Sequence, residues 1–129
     1  MPLLRVVALC GLVLAGLSIV AAPNQVEARP QYLKEFAKKY ENLKPLALKE
    51  KCNVCHYGKT KKNHNDYGQA MLKKFGDEKN VKDEAIIAKA FTDIEPEKSK
   101  VEKKPGEMKT FGELIKEDKL PGTAPEGEE

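Results

Sequence analysis

The sequence predicts an all-α fold, several short helices joined by long loops, and three observations lead there. Apolar residues recur at three- and four-residue steps in several separate segments. Proline, glycine and capping residues bound those segments. No stretch of useful length alternates apolar and polar residues as a half-buried strand does. With 129 residues and no internal repeat, the chain has room for one small domain.

The first predicted helix starts at Pro30, since proline suits a first helical position where its missing N–H has no partner anyway. It runs to about Leu43, with Tyr32, Leu33, Phe36, Tyr40 and Leu43 as its apolar stripe, and Pro45 is expected to end it. Leu46 to Lys51 then leads to a cysteine pair, and the polar segment 57–65 reads as loop. Asp66 is expected to cap a second helix, with Gln69 completing a capping box, Tyr67, Ala70, Met71 and Phe75 buried, and Gly76 as the stop. A third helix is expected from Asn80, with Ile87, Ala90, Phe91 and Ile94 inward and Pro96 as terminator. Glu97 to Met108 lacks periodicity and reads as an exposed loop. Thr110 is expected to cap a last short helix that buries Phe111, Leu114 and Ile115 and gives way to Leu120-Pro121-Gly122. The tail, Thr123–Glu129, is small, acidic and expected to be disordered.

The N-terminus differs in kind. Arg5 is followed by an apolar and small-residue run from Val6 to Val20, and small residues beyond it suit a signal peptidase. The expected export segment is residues 1–28, with cleavage after Ala22 as the alternative. The run falls short of the ~20 residues that span a bilayer, so an uncleaved anchor is the lesser alternative, and no membrane span is expected in the mature chain. The expected location is periplasmic or otherwise extracytoplasmic, and the domain proper covers residues 29–122.

Removing residues 1–28 removes one positive and one negative charge, so the formal net charge stays at +3. The remainder is dense in lysine, with four Phe, four Tyr and no Trp. So little apolar area offsets chain entropy poorly, which hints that a cofactor contributes to the core. Nucleic acid is not expected as a partner, because the charge is mild, acidic residues are interleaved, and export removes the opportunity.

Cysteine use is the most informative feature. Of three cysteines only Cys52 and Cys55 lie beyond the export segment, in Cys52-Asn53-Val54-Cys55-His56. This is the pattern of covalent c-type haem attachment. Two thiols three positions apart can each add to a vinyl group at the haem edge, and the adjacent histidine is carried under the iron as proximal ligand. Other readings compete. Zinc wants four ligands, obtainable from Cys52, Cys55, His56 and His64 only if His56 turns back beside its own cysteines. A thiol–disulfide centre wants a βαβ setting that an all-helical pattern lacks, and a plain disulfide would staple an interaction domain.

Over roughly residues 30 to 120, with a helix before the motif, Cys52-x-x-Cys55-His56, the Pro105-Gly106-Glu107-Met108 segment and a short helix after it, the chain resembles the class I cytochrome c family. The resemblance implies short helices packed around one covalently bound haem c, with His56 as proximal iron ligand. It also implies a methionine on the other face, for which Met108 is the first candidate. Met71 and His64 are the alternatives: Met71 lies on a buried helical stripe, and His64 is within chain reach of His56.

The expected function is electron transfer by Fe(II)/Fe(III) cycling, not catalysis, with redox proteins as partners. Lys49, Lys51, Lys59, Lys61 and Lys62 flank the motif and would meet an acidic patch on such a partner. The alternative is a haem enzyme or gas-binding protein with an open distal site. A zinc- or disulfide-stapled interaction domain stands behind both.

Overall fold

A computed structural model describes residues 30–78, 80–100, 108–122 and 124. The expected export segment, Pro105-Gly106-Glu107 and the tail, Ala124 apart, lie outside the described residues. The described chain is mostly helical: α1 Pro30–Lys39, α2 Lys44–Glu50, α3 Asp66–Phe75, α4 Glu84–Ile94 and α5 Phe111–Lys116. Two-residue strands β1 His56–Tyr57 and β2 Asn63–His64 pair antiparallel, with His56 opposite His64.

The first helix is shorter than its apolar stripe predicts. At Tyr40 the backbone leaves the helical region (φ −114°, ψ 74°), and a 3₁₀ turn over Glu41–Leu43 redirects the chain. Pro45 therefore begins a helix instead of ending one: it lies in the first turn of α2, where a missing N–H breaks no ladder bond. The cap of α3 is Asn65, one residue before the expected Asp66; its side chain accepts from the Gly68 N–H, while the Gln69 side chain donates to the His64 carbonyl. The backbone at Asn80 is left-handed (φ 68°), which no helix tolerates, so α4 starts after Asp83, whose carboxylate accepts from the Ala85 and Ile86 N–H groups. Gly76 ends α3 with φ 59°, as expected of a glycine stop. Thr110 caps α5 as expected, and Glu113 reaches back to close a capping box. The paired strands replace part of the loop expected over 57–65; two residues each are too few to leave a period-2 signature.

The helices enclose a cluster of aromatic rings. Phe36 of α1 meets Tyr40 at 5.0 Å, Tyr67 at 5.9 Å and Phe91 at 5.7 Å between ring centres, each edge-on. Tyr67 of α3 lies parallel to Phe91 of α4 at 6.1 Å and receives Phe111 of α5 edge-on at 5.1 Å. Leu43, Ala47, Ile87 and Ile94 pack around them, all fully buried. Edge-to-face geometry adds about 0.5–1.5 kcal/mol per pair beyond area burial, so few rings can organise a small core. Tyr40 donates its hydroxyl to the Glu95 carboxylate at 2.9 Å, which satisfies the polar end of a buried ring.

The segment expected as an exposed loop after Pro96 is tied down at both ends. Lys98 and Thr110 form an isolated antiparallel bridge, and Ser99, fully buried, donates its N–H to Lys109 and its hydroxyl to Pro121. The Asp66 carboxylate accepts from Ser99 Oγ and the Lys100 N–H, fastening this segment to the start of α3. Among the described residues no helix is long and apolar enough to cross a membrane.

Candidate functional site

The Cys52–His56 segment follows α2 through an abrupt turn. Lys51 adopts φ 50°, ψ −114°, a conformation that costs a non-glycine residue on the order of 1–3 kcal/mol. A 3₁₀ turn over Lys51–Val54 follows, closed by the Cys55 N–H donating to the Cys52 carbonyl at 3.2 Å. Val54, 3% exposed, anchors this turn in the core. The two cysteines consequently face different surroundings. Cys52 is exposed, whereas Cys55 packs against the core cluster. Burial pushes the Cys55 thiol up to about 12, and the nearby Cys52 adds to the shift. Such a thiol stays protonated at neutral pH, the opposite of the lowered value that a disulfide-exchange nucleophile needs.

Tyr67 forms the inner wall beside Cys55. Its hydroxyl titrates well above the ordinary tyrosine value, first because it is buried and then because Tyr40 and Cys55 lie close to it. Among the described residues it has no hydrogen-bond partner within 3.5 Å, though the Tyr40 hydroxyl is near enough to influence it.

His56 opens β1 and is held from across the ladder: its Nδ1 lies 3.2 Å from the Asn63 carbonyl oxygen. A carbonyl can only accept, so this bond requires the proton on Nδ1 and leaves the lone pair on Nε2. A histidine fixed in this way is oriented to offer Nε2 to a metal. His64 sits directly opposite on β2, its ring 4.3 Å from that of His56 and tilted by 40°. The two imidazoles thus lie side by side on one side of the ladder.

One residue absent from the sequence-based candidates organises the segment. Asn65, 2% exposed, donates its N–H to the Cys55 carbonyl at 3.0 Å. Its side-chain amide donates to the Val54 carbonyl at 3.1 Å and the Asn53 carbonyl at 3.4 Å, while its Oδ1 accepts from the Gly68 N–H at 2.9 Å. Two glycines permit this packing. A Cβ on Gly68 would fall 2.2 Å from the Cys55 carbonyl oxygen, and one on Gly122 would fall 2.3 Å from the Asn65 amide nitrogen. The available signal was the asparagine itself, a strong N-cap residue standing one place before Asp66.

The other two candidates sit on other segments. Met71 is 5% exposed within the core cluster on α3. Met108 is half-buried, next to Lys109 in the bridge that closes on Ser99. Among the described residues no three His, Cys, Asp or Glu side chains are grouped to hold a metal ion, so the four zinc ligands weighed above are not assembled. A shallow hollow of about 240 Å³ borders His56, lined also by Asn53, Tyr57, Lys61, Asn65 and Ala124.

The charge around the turn is one-sided. Residues 51–65 contain no Asp or Glu. Lys49, Lys51, Lys59 and Lys62 are exposed and Lys61 is half-buried; none of them forms an ion pair with a described residue. By contrast, Lys34 and Lys38 pair with Glu84, Lys39 with Glu95, and Lys74 with Glu97. The chain matches no protein-family model, no curated protein and no solved structure.

Proposed function

We propose that the chain is an exported, single-haem c-type cytochrome that transfers electrons. The observation that carries this reading is the Nδ1 contact of His56 with the Asn63 carbonyl, immediately after two neighbouring thiols. Those residues fit the group: Cys52 and Cys55 would hold it through thioethers, and His56 would offer Nε2 to its iron. When bound, haem c supplies one-electron exchange between Fe(II) and Fe(III).

The packing supports one refinement of the expected architecture. The interior of the described domain is filled by Phe36, Tyr67, Phe91 and Phe111, each at most 2% exposed. A group held by Cys52, Cys55 and His56 would therefore have to be accommodated at the Cys52–His56 turn, not among these four rings. Met108 stays the preferred distal ligand. Met71 already has a packing role in the cluster, and His64 shares the side of the ladder that His56 occupies.

The chain's own residues do the remaining work. The bond from His56 to Asn63 holds the imidazole in one tautomer, so the ligand need not reorganise as the charge changes. The lysines around the turn, lacking ion-pair partners among the described residues, steer an acidic redox protein to this face. The rate of electron transfer to such a partner is then expected to fall steeply with ionic strength, as screening shortens the Debye length from about 10 Å at 0.1 M salt to about 3 Å at 1 M.

The test is production of the full chain in a host able to attach haem to exported proteins, followed by mass spectrometry and reduced and oxidised absorption spectra. The expected product carries one haem that survives denaturation and acid extraction, with a methionine-to-iron band in the ferric form that Met108→Ala abolishes. Both thiols unmodified in the mature chain would end this reading. Ready carbon monoxide binding by the reduced protein would instead point to an open distal side.

A further inference from the structure

We propose that Asn65 is the positioning residue of the Cys52–His56 segment, setting both the shape of the turn and the tautomer of His56 before anything is attached there. The proposal rests on reading that segment as a haem-attachment site, but its structural content is tested separately.

All the polar atoms of Asn65 are engaged. Its backbone N–H and its two amide hydrogens serve the carbonyls of three consecutive motif residues, Cys55, Val54 and Asn53. Its Oδ1 accepts from Gly68 and its carbonyl accepts from the Gln69 N–H, which anchors it to the first turn of α3. Few side chains can replace it. Aspartate lacks the donors and would set a charge against two carbonyl oxygens. Serine retains a capping oxygen but loses the reach to Asn53 and Val54. Glutamine adds a methylene in a space that Gly122 already limits, since even a Cβ there would approach the Asn65 amide to 2.3 Å.

The link to His56 runs through the short strand. Asn63, His64 and Asn65 are consecutive: Asn65 ties one end of this tripeptide to Cys55, and the Asn63 carbonyl at the other end receives the His56 Nδ1–H. If the Asn65 side-chain bonds are lost, only its backbone bond to Cys55 and the short β1–β2 ladder remain to hold β2 against the motif, and the Asn63 carbonyl is presented less firmly. An unconstrained imidazole favours its proton on Nε2, which puts the lone pair on the nitrogen nearer the backbone. The tautomer of a ligating histidine is set by the bond its other nitrogen makes, and here Asn65 holds that bond's acceptor in place.

The test uses the full chain with Asn65→Ser, Asn65→Asp and Gly122→Ala, the last pressing on the Asn65 side chain without removing it. Asp83→Ala is the control. It deletes the cap of α4, bonded to Ala85 and Ile86 at 2.8 and 3.2 Å, away from the motif. Nitrogen-15 spectra of the imidazole in the haem-free chain report the tautomer. Wild type and Asp83→Ala are expected to hold His56 as Nδ1–H, and the Asn65 and Gly122 variants to shift toward Nε2–H. Covalent haem per chain is expected to drop about ten-fold in the Asn65 variants, the scale of removing a residue that orients a metal ligand, and to stay within about two-fold of wild type in the control. An unchanged tautomer in folded Asn65 and Gly122 variants, or an equal shift in Asp83→Ala, overturns the proposal. A wild-type chain that never acquires haem sinks the functional reading alone, because the tautomer comparison stands without it.

Discussion

Replacing Gly68 by alanine sets two effects of known size against each other. Gly68 sits in the first turn of α3, and helix propensity alone makes alanine better there by up to about 1 kcal/mol. Packing opposes this. The added methyl carbon would lie 2.2 Å from the Cys55 carbonyl oxygen, 3.1 Å from its carbon and 3.2 Å from the His64 Cβ. Carbon–oxygen contacts in proteins close to roughly 3.3 Å, so the first of these must open by roughly 1 Å. The two closest of the three contacts are backbone atoms of Cys55, so no rotamer change relieves the overlap, and α3 must move off the motif. Overpacking of this kind costs about 1–3 kcal/mol or more, and the Asn65-to-Cys55 bond at 3.0 Å is pulled open with it. The expected net loss is about 2 kcal/mol. With a urea slope of about 1–2 kcal/mol/M, the midpoint falls by about 1–2 M. Urea unfolding followed by far-ultraviolet circular dichroism measures this, and amide exchange at Asn65 reports the local opening. A midpoint equal to or above wild type would refute the argument, because it would mean that helix propensity decides and that α3 does not press on Cys55.

Two further outcomes follow from the titration behaviour. At pH 8 a thiol pushed up to about 12 is ionised to only about one part in ten thousand, and the thiolate is the form that reacts. Mass-resolved alkylation is therefore expected to label exposed Cys52 well before Cys55, and equal rates would contradict the burial described. At α5, the Thr110 backbone N–H and then the Thr110 side chain hold the Glu113 carboxyl below the usual carboxylate range. Its stabilising effect is complete above the unfolded value of about 4.3 and is lost as pH falls through the lower folded value. Amide protection in Phe111–Lys116 should decline over that acid window, and Glu113→Gln, which cannot titrate, should lack the step.

Most helices were legible because their apolar residues keep a 3.6-residue period and their stops are chemically distinct. Gly76 and Thr110 are examples in which one residue type states its own backbone role. The errors came from residues with two possible roles. Pro45 can end a helix or begin one, and the choice was made by Tyr40 leaving the helical region five residues earlier. Asn65 and Asp66 are both good caps, and the decision came from tertiary bonds: Asp66 is engaged by Ser99 and Lys100, which are distant in sequence. Within the candidate site, Cys52, Cys55 and His56 were legible as a five-residue pattern. The clamp formed by Asn65, Gly68 and Gly122 was not, because it depends on close approaches between segments that no local pattern encodes.

An interior closed by its own aromatic rings has a consequence for quality control in the cell. Proteases act on opened chains, and the fraction opened depends on the free energy that the Phe36, Tyr67, Phe91 and Phe111 cluster supplies. None of those four rings belongs to residues 52–56. On the proposed cytochrome reading, copies that missed haem attachment would then persist beside finished ones, carry the same lysine-rich face, and compete with them for the same partner. On that reading, the efficiency of haem attachment, more than synthesis rate, would set how many of those encounters are productive.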